Sequence, residues 1–397
     1  VRVRFRGYSK HGVTVDLTET QELLRGTVRD FARQVVRPRA ARIDRTGEFG
    51  MDTFREMARL GLTGIPIPEA YGGAGADYTS FVVAVEELAR ECPSTALGLC
   101  AHTSLGTLPI LHFGSEELKR RYVPPHARGE TIGAYGLTEA EAGSDSANTK
   151  TTAVEEGGRF RIQGTKMFVT NASVADTFVV TAVTEPDRPK HERISAWVLE
   201  RGWPGLSIAK KEDKLGMRGS DTCVVHLDRV SVPASNLIGA RGDGFKIFMK
   251  TLDSGRIAIG ALALGIAEGA MERAVRYARE RRQFGKPLAE HQAIQMMIAD
   301  MAVDIEASRR LVYAAAHLRD RDRPHAREAS IAKLFAGAAA MRVTRAAVQI
   351  LGGYGFMTEY EVERFYRDAK LCEIGEGTSE IQRLVIARHV LAQTRTE

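Results

Sequence analysis

Apolar positions along the chain follow three regimes. From Thr18 to about Arg128 they recur every three to four residues, and Leu23, Leu24, Val28, Phe31 and Val35 form one such stripe. That is the period of an amphipathic helix. Thr18 and Gln21 have capping-box spacing at its start. Gly61, Gly64, Pro66 and Pro68 mark a loop, and Tyr71 to Gly75 marks another. Further helices are predicted over 78–89 and 95–113. From about Thr131 to Leu237 the period changes to two, as in 160–163 and 223–232, with turn clusters at 155–158 and 185–189. This predicts an antiparallel β domain. Alanine-rich helical patterns return from about Gly244, over 257–281, 292–319, 326–351 and 379–392. No repeat of solenoid period interrupts the order helices, β domain, helices.

Length and composition narrow this picture. At about 150 residues per domain, 397 residues suit two or three domains. With 44% hydrophobic and 27% charged residues the chain is globular, which excludes disordered, collagen-like and disulfide-scaffold classes. A net charge of +6 is a mild basic excess at this length. No Lys/Arg stripe with interleaved aromatics supports nucleic-acid binding. The four cysteines, Cys92, Cys100, Cys223 and Cys372, form no CxxC pair. They read as free thiols in a reducing compartment, which points to the cytoplasm. No HExxH and no Cys/His cluster suggests a metal site. The longest apolar run, Ile257 to Ala267, is shorter than the ~20 residues a membrane span needs, so none is expected. The stretch Val1 to Val13 carries Arg2, Arg4 and Arg6 but no apolar segment, so it is read as neither secretory signal nor presequence. Glycine stands out: 38 of 397 residues exceeds the usual ~7%. Such an excess accompanies special turns or close backbone approach to a ligand.

Five segments concentrate the candidate chemistry. Tyr135 to Asp145 crowds hydroxyls, carboxylates and small residues, including Leu137, Thr138, Gly143 and Ser144, at the opening of the β domain. It is a solvated loop or a cradle for a polar ligand. In Lys166 to Asn171, Phe168 can pack a ring system and Thr170 can hydrogen-bond one; a plain strand end is the alternative. Arg279 to Gly285 is a basic helix end or a phosphate clamp. Gln349 to Gly355 places three glycines after a helix, as a C-cap or as backbone that lies against a ligand. In Ile374 to Arg383, Ser379 and Gln382 have capping-box spacing, and Glu376 sits between Gly375 and Gly377 just before them. Glu376 is a helix-end carboxylate favoured by the dipole, or a general base.

Taken together, in this order and spacing, these segments resemble the acyl-CoA dehydrogenase family, from about Leu17 to Ala392, closest to its short-chain and short-branched-chain branch. The resemblance implies an α+β fold: a helical domain over 1–130, a middle antiparallel β domain over 131–238 and a C-terminal four-helix-bundle-like domain over 239–397. It implies an FAD-dependent enzyme, usually a homotetramer built as a dimer of dimers, that oxidises a short- to medium-chain acyl-CoA and passes electrons to an electron-transfer flavoprotein. Carried over by position, Tyr135, Leu137, Thr138, Gly143, Ser144, Phe168, Val169 and Thr170 would line the flavin and its phosphates. Arg281, Phe284, Gln292, Gln349, Gly352 and Gly353 would reach FAD across a dimer interface. Thr378 and Glu380 would lie near the cofactor. Ser144, Asp253, Arg256 and Gly377 would meet substrate, with Asp253 paired to Arg256. Glu376 would be the base, because the alternative family position holds Gly255 here. The resemblance leaves an oxidase, a carrier-protein-dependent relative and a non-catalytic assembly factor as rivals; the chain's end at Glu397, without the extra domain usual in oxidases, favours the dehydrogenase.

Overall fold

The computed structural model describes residues 16–393, so the basic stretch Val1 to Val13 lies outside the described residues. Helix α1 (Glu19–Phe31) opens with the reciprocal cap: the Thr18 hydroxyl accepts from Gln21 N at 3.3 Å and Gln21 Oε1 accepts from Thr18 N at 2.9 Å. A π-helical turn, Ala32–Val36, leads into α2 (Arg37–Thr46). Then come α3 (Met51–Arg59), α4 (Tyr78–Ala89), α5 (Pro93–Cys100), α6 (Leu108–Phe113) and α7 (Glu116–Ala127). The single helix expected over 95–113 is α5 and α6 joined by a π-helical stretch, Ala101–Thr107. There the Thr107 hydroxyl donates to His102 O at 2.8 Å, a five-residue reach that the wider turn accommodates.

One sheet carries the middle of the chain: β1 (Gly133–Gly136), β2 (Thr152–Glu156), β3 (Arg159–Thr170), β4 (Thr177–Val183), β5 (Ile194–Glu200), β6 (Leu206–Lys211), β7 (Thr222–Pro233) and β8 (Leu237–Ile238). Its order is β6-β7-β3-β2-β4-β5-β8, with β1 beside β4. The sheet is not wholly antiparallel as expected. β1 runs parallel to β4, and β2 meets β4 in parallel at Thr152–Val183. The cause is at the strand starts. The Asp176 carboxylate accepts from Ile132 N at 2.7 Å, and Asp176 N donates to Ile132 O at 2.8 Å. Both strands therefore leave the same point in the same direction.

The C-terminal part comprises α8 (Gly244–Glu280), a short hairpin of β9 (Arg282–Gln283) and β10 (Lys286–Pro287), then α9 (Gln292–Asp320), α10 (Ala326–Leu351), α11 (Val362–Ala369) and α12 (Ser379–Gln393). α8 begins earlier than its apolar pattern because its first turns mix Lys246 and Lys250 with Phe245 and Phe248. Its centre is buried, and α4, buried along its whole length, lies against it. The two helices touch backbone to backbone. A side chain at Gly265 would strike Glu86 O, and one at Gly269 would strike Arg90 O. Arg273 of α8 then ties three elements together, donating to Glu91 Oε2 at 2.8 Å and Glu361 Oε2 at 2.7 Å. All four cysteines are buried free thiols. By length and composition α8 and the segment Ala326–Phe356 are apolar enough to cross a membrane, but 89% of the α8 window and 50% of the other are buried inside the protein. Tertiary packing accounts for the apolar character of α8.

Candidate active site

A turn between α11 and α12 presents Glu376. The chain leaves α11 through a 3₁₀ turn, Lys370–Glu373, and Ile374 N and Gly375 N both donate to Leu371 O at 2.9 Å. Glu376 itself is then left-handed, with φ +54°, and Gly377 follows at φ +94°. Left-handed backbone is sparsely populated by non-glycine residues and needs surroundings that enforce it. Here Gln382, fully buried, donates its amide to Glu376 O at 3.2 Å and Gly377 O at 2.9 Å. The buried Lys333 ammonium of α10 donates to Gly377 O at 2.6 Å. Gln382 is thus not the partner of Ser379 in a capping box. Thr378 caps α12 instead, its hydroxyl accepting from Ile381 N at 3.4 Å, which frees the Gln382 side chain to turn inward.

The Glu376 carboxylate points at α8. Its Oε2 is buried without a hydrogen-bond partner, and it occupies the notch left by Gly255, where any side chain would collide with it. Burial pushes its pKa up to about 7, while Lys333 and Arg256 pull the other way. The rise is present in the free chain. Around the carboxylate, Arg256 Nη1 pairs with Asp253 Oδ1 at 2.8 Å, as expected, leaving Arg256 Nε buried and unpartnered. The Tyr135 hydroxyl is likewise buried without a partner. The wall includes residues the sequence did not single out. Tyr78 donates to Ser254 O at 2.8 Å, and Arg319 stacks on the Tyr78 ring at 3.6 Å while donating to Ser254 Oγ at 2.8 Å. Cys100 and Tyr78 both lie within electrostatic range of Glu376.

The strand segments meet one another. Met167 N donates to Thr138 O at 2.7 Å, and Lys166 Nζ reaches Leu137 O at 3.3 Å and Glu139 Oε1 at 2.6 Å. The Glu139 carboxylate also caps Lys150 N and Thr151 N. Burial lowers the Lys166 pKa to about 8, and Lys166 holds Glu139 below the usual carboxylate range. This buried pair locks the two motifs together and is not free for a ligand. A register shift between Lys166 and Val169 breaks the β3–β7 ladder. It throws Phe168 outward with φ +55° and 63% exposure. Val169 turns the other way and sits in the core, so only its backbone can face a cofactor. Gly143 and Ser144 are exposed, and Thr170 is half-buried.

The helical segments behave differently. Arg281, Phe284, Gln292, Gln349, Gly352 and Gly353 are all exposed, Phe284 at 95%. Arg281, Gly352 and Gly353 share a cleft of about 420 Å³ with Tyr277 and Tyr354. Gln349, a turn earlier, lines a separate groove between α9 and α10 with Asp304 and Arg342. Among the described residues, no hydrogen bond or ring contact joins this group to the strand group. Thr378 stands at the Glu376 turn, and Glu380 is exposed beside Arg383 at 3.5 Å.

Three family models cover most of the chain: the acyl-CoA dehydrogenase N-terminal domain over residues 18–130, the middle domain over 134–230 and the C-terminal domain over 242–391. The chain belongs to the acyl-CoA dehydrogenase family. It is 51% identical over 373 residues to the short-chain specific acyl-CoA dehydrogenase of Clostridium acetobutylicum, spanning 94% of this chain and 98% of that protein. The solved butyryl-CoA dehydrogenase of Megasphaera elsdenii superposes with a TM-score of 0.93 at 42% identity, covering 95% of this chain and 99% of that one. A chain in the structure described as the electron transferring flavoprotein of Acidaminococcus fermentans matches with a TM-score of 0.93 at 44% identity, again covering 95% and 99%.

Acyl-CoA dehydrogenases are FAD enzymes, and the surfaces here fit that group. Phe168 and Phe284 offer bare aromatic faces. Gly143, Gly352 and Gly353 have no atom within 4 Å of where a side chain would begin. Backbone is thus open to close approach on both groups.

Proposed function

We propose that this acyl-CoA dehydrogenase converts short- to medium-chain acyl-CoA, roughly C4 to C8, to the trans-2-enoyl-CoA, with Glu376 removing the α-proton. The chain-length range rests on the resemblance; pocket depth discriminates by only ~1–3 kcal/mol per methylene. The observation that carries the reading is Glu376 Oε2, buried and unpartnered, on a carboxyl pushed by burial to a pKa of about 7. A thioester α-proton is a very weak acid, and an ordinary solvated carboxylate is too weak a base to take it near neutral pH. Desolvation in the Gly255 notch strengthens Glu376 as a base, and the left-handed turn holds its oxygen toward α8. As the α-proton leaves, negative charge develops on the thioester oxygen and needs fixed donors. The Glu376 backbone N–H donates to no acceptor among the described residues and is available for that oxygen. Tyr135, Thr138, Phe168 and Thr170 from one chain, with Arg281, Phe284, Gln349 and Gly352 from a second, would hold FAD. The chemistry that FAD brings when bound is acceptance of the β-hydrogen as hydride at its N5. A homotetramer supplies the second chain, and an electron-transfer flavoprotein is the acceptor this reading favours.

The test is anaerobic bleaching of the yellow holoenzyme by butyryl-CoA. Wild type bleaches. E376Q keeps its FAD and loses turnover by about 10³-fold or more, as removal of an essential base demands. Undiminished turnover in E376Q overturns the assignment. Rapid reoxidation by O₂, with none by an electron-transfer flavoprotein, would make the protein an oxidase.

A further inference from the structure

Lys333 lies on the face of α10 that packs into the protein, between Ala332 and Ala336, and is 1% exposed. A lysine in an alanine stripe is expensive to bury without a partner. Its sole hydrogen bond among the described residues runs to Gly377 O, at 2.6 Å. That carbonyl is one residue beyond Glu376, inside the left-handed turn. Gln382 grips the same oxygen and the Glu376 carbonyl as well. The two peptide groups following Glu376 are therefore pinned from α10 and α12, while the carboxylate is seated against α8 at Gly255.

We propose that Lys333 is the positioning residue of the reaction: it anchors the turn that aims Glu376 and sets the charge that the base feels. This rests on Glu376 being the base. The charged and titratable groups facing Glu376 are Lys333 of α10, Arg256 of α8, Tyr78 of α4, Cys100 of α5 and Tyr135 of β1. Arg256 is engaged by Asp253. Lys333 has no carboxylate hydrogen-bonded to it; Glu373, Cys372 and Arg256 act on it only from a distance. Its ammonium is thus the cation with least competition for Glu376. Burial brings the Lys333 pKa down to about 8, so the charge is present where Glu376 ionises.

Two substitutions separate anchor from charge. K333M fills the space and removes both; K333Q keeps a donor for Gly377 O and removes only the charge. Both residues suit a helix interior. In the FAD-loaded enzyme with butyryl-CoA, K333M lowers kcat roughly ten- to a hundredfold, the scale of a small misplacement of the base. KM stays within about threefold, because Lys333 is assigned no contact with substrate. The acid limb of the kcat–pH profile moves up by on the order of one pH unit as a favourable cation is lost. K333Q shows the same limb shift with part of kcat restored. In the E376Q background, K333M costs nothing further. A K333M enzyme with full FAD content, kcat within about twofold of wild type and an unmoved limb overturns the proposal. If K333M does not fold, an unmoved limb in K333Q does so. Activity retained by E376Q alone would instead sink the base assignment, whatever Lys333 does.

Discussion

Gly255 and Glu376 are matched like a socket and its insert, and each is explained by the other. G255A places a methyl where Glu376 Oε2 now sits. The carboxylate must move, and kcat should fall by about a hundredfold, as a displacement near 1 Å does, with FAD content unchanged. Equal kcat in G255A means the carboxylate acts from elsewhere. The raised pKa has a second consequence, in stability. Folded Glu376 holds its proton up to about pH 7, against an ordinary 4.5. The folded chain binds more protons than the unfolded one across that window, so stability falls as pH rises through it. E376Q should therefore gain on the order of 1–3 kcal/mol over wild type at pH 8 and almost nothing at pH 4.5, measured by thermal or denaturant unfolding. A gain independent of pH would show a carboxylate that is not desolvated. Glu376 was legible in the sequence because glycines flank it, whereas Asp253 and its pairing with Arg256 came only from the family resemblance. Lys333 and Gln382 were not legible. Each is an ordinary helix residue by pattern: Lys333 grips a turn 44 residues further on, and Gln382 has the spacing of a plain capping partner.

Elements were legible where a single period runs without competition. α4 and α10 fall where the apolar spacing put them, Tyr78–Ala89 and Ala326–Leu351. Two failures share a cause, since each turns on a non-local contact, while a third turns on a competing side-chain bond within one turn. The parallel pairing of β1 depends on Asp176, forty-odd residues downstream. The bulge at Phe168 depends on the register of β7. The cap of α12 depends on Gln382 being recruited to the Glu376 turn. The α4–α8 crossing is likewise set by glycines whose meaning appears only in three dimensions. G265V drives a branched side chain into Glu86 O and should cost ~3 kcal/mol or more, above ordinary overpacking because backbone cannot move aside. R273M, which leaves the buried Glu91 carboxylate only Arg37 at 3.8 Å, should cost about 3 kcal/mol, the lower end for breaking a buried pair. Both are read from unfolding midpoints, and a shift near zero in either would show that α4 and α8 tolerate separation.

At the scale of the molecule, no hydrogen bond or ring contact joins the strand surface around Phe168 to the helical surface around Phe284 among the described residues. The sharing of one FAD site between two chains, proposed above, changes how damage is inherited. On that proposal, a chain with T170V and another with Q349A each damage every site when assembled alone, one from the strand side and one from the helical side. Unfolded together and reassembled, they form mixed pairs in which one site collects both lesions and the other collects neither. Activity and bound FAD should therefore reappear on mixing two inactive proteins, and would not if each chain built its site alone. For a cell carrying two different faulty copies of the gene, the position of the faults on these two surfaces, rather than the severity of either, would decide whether any enzyme works.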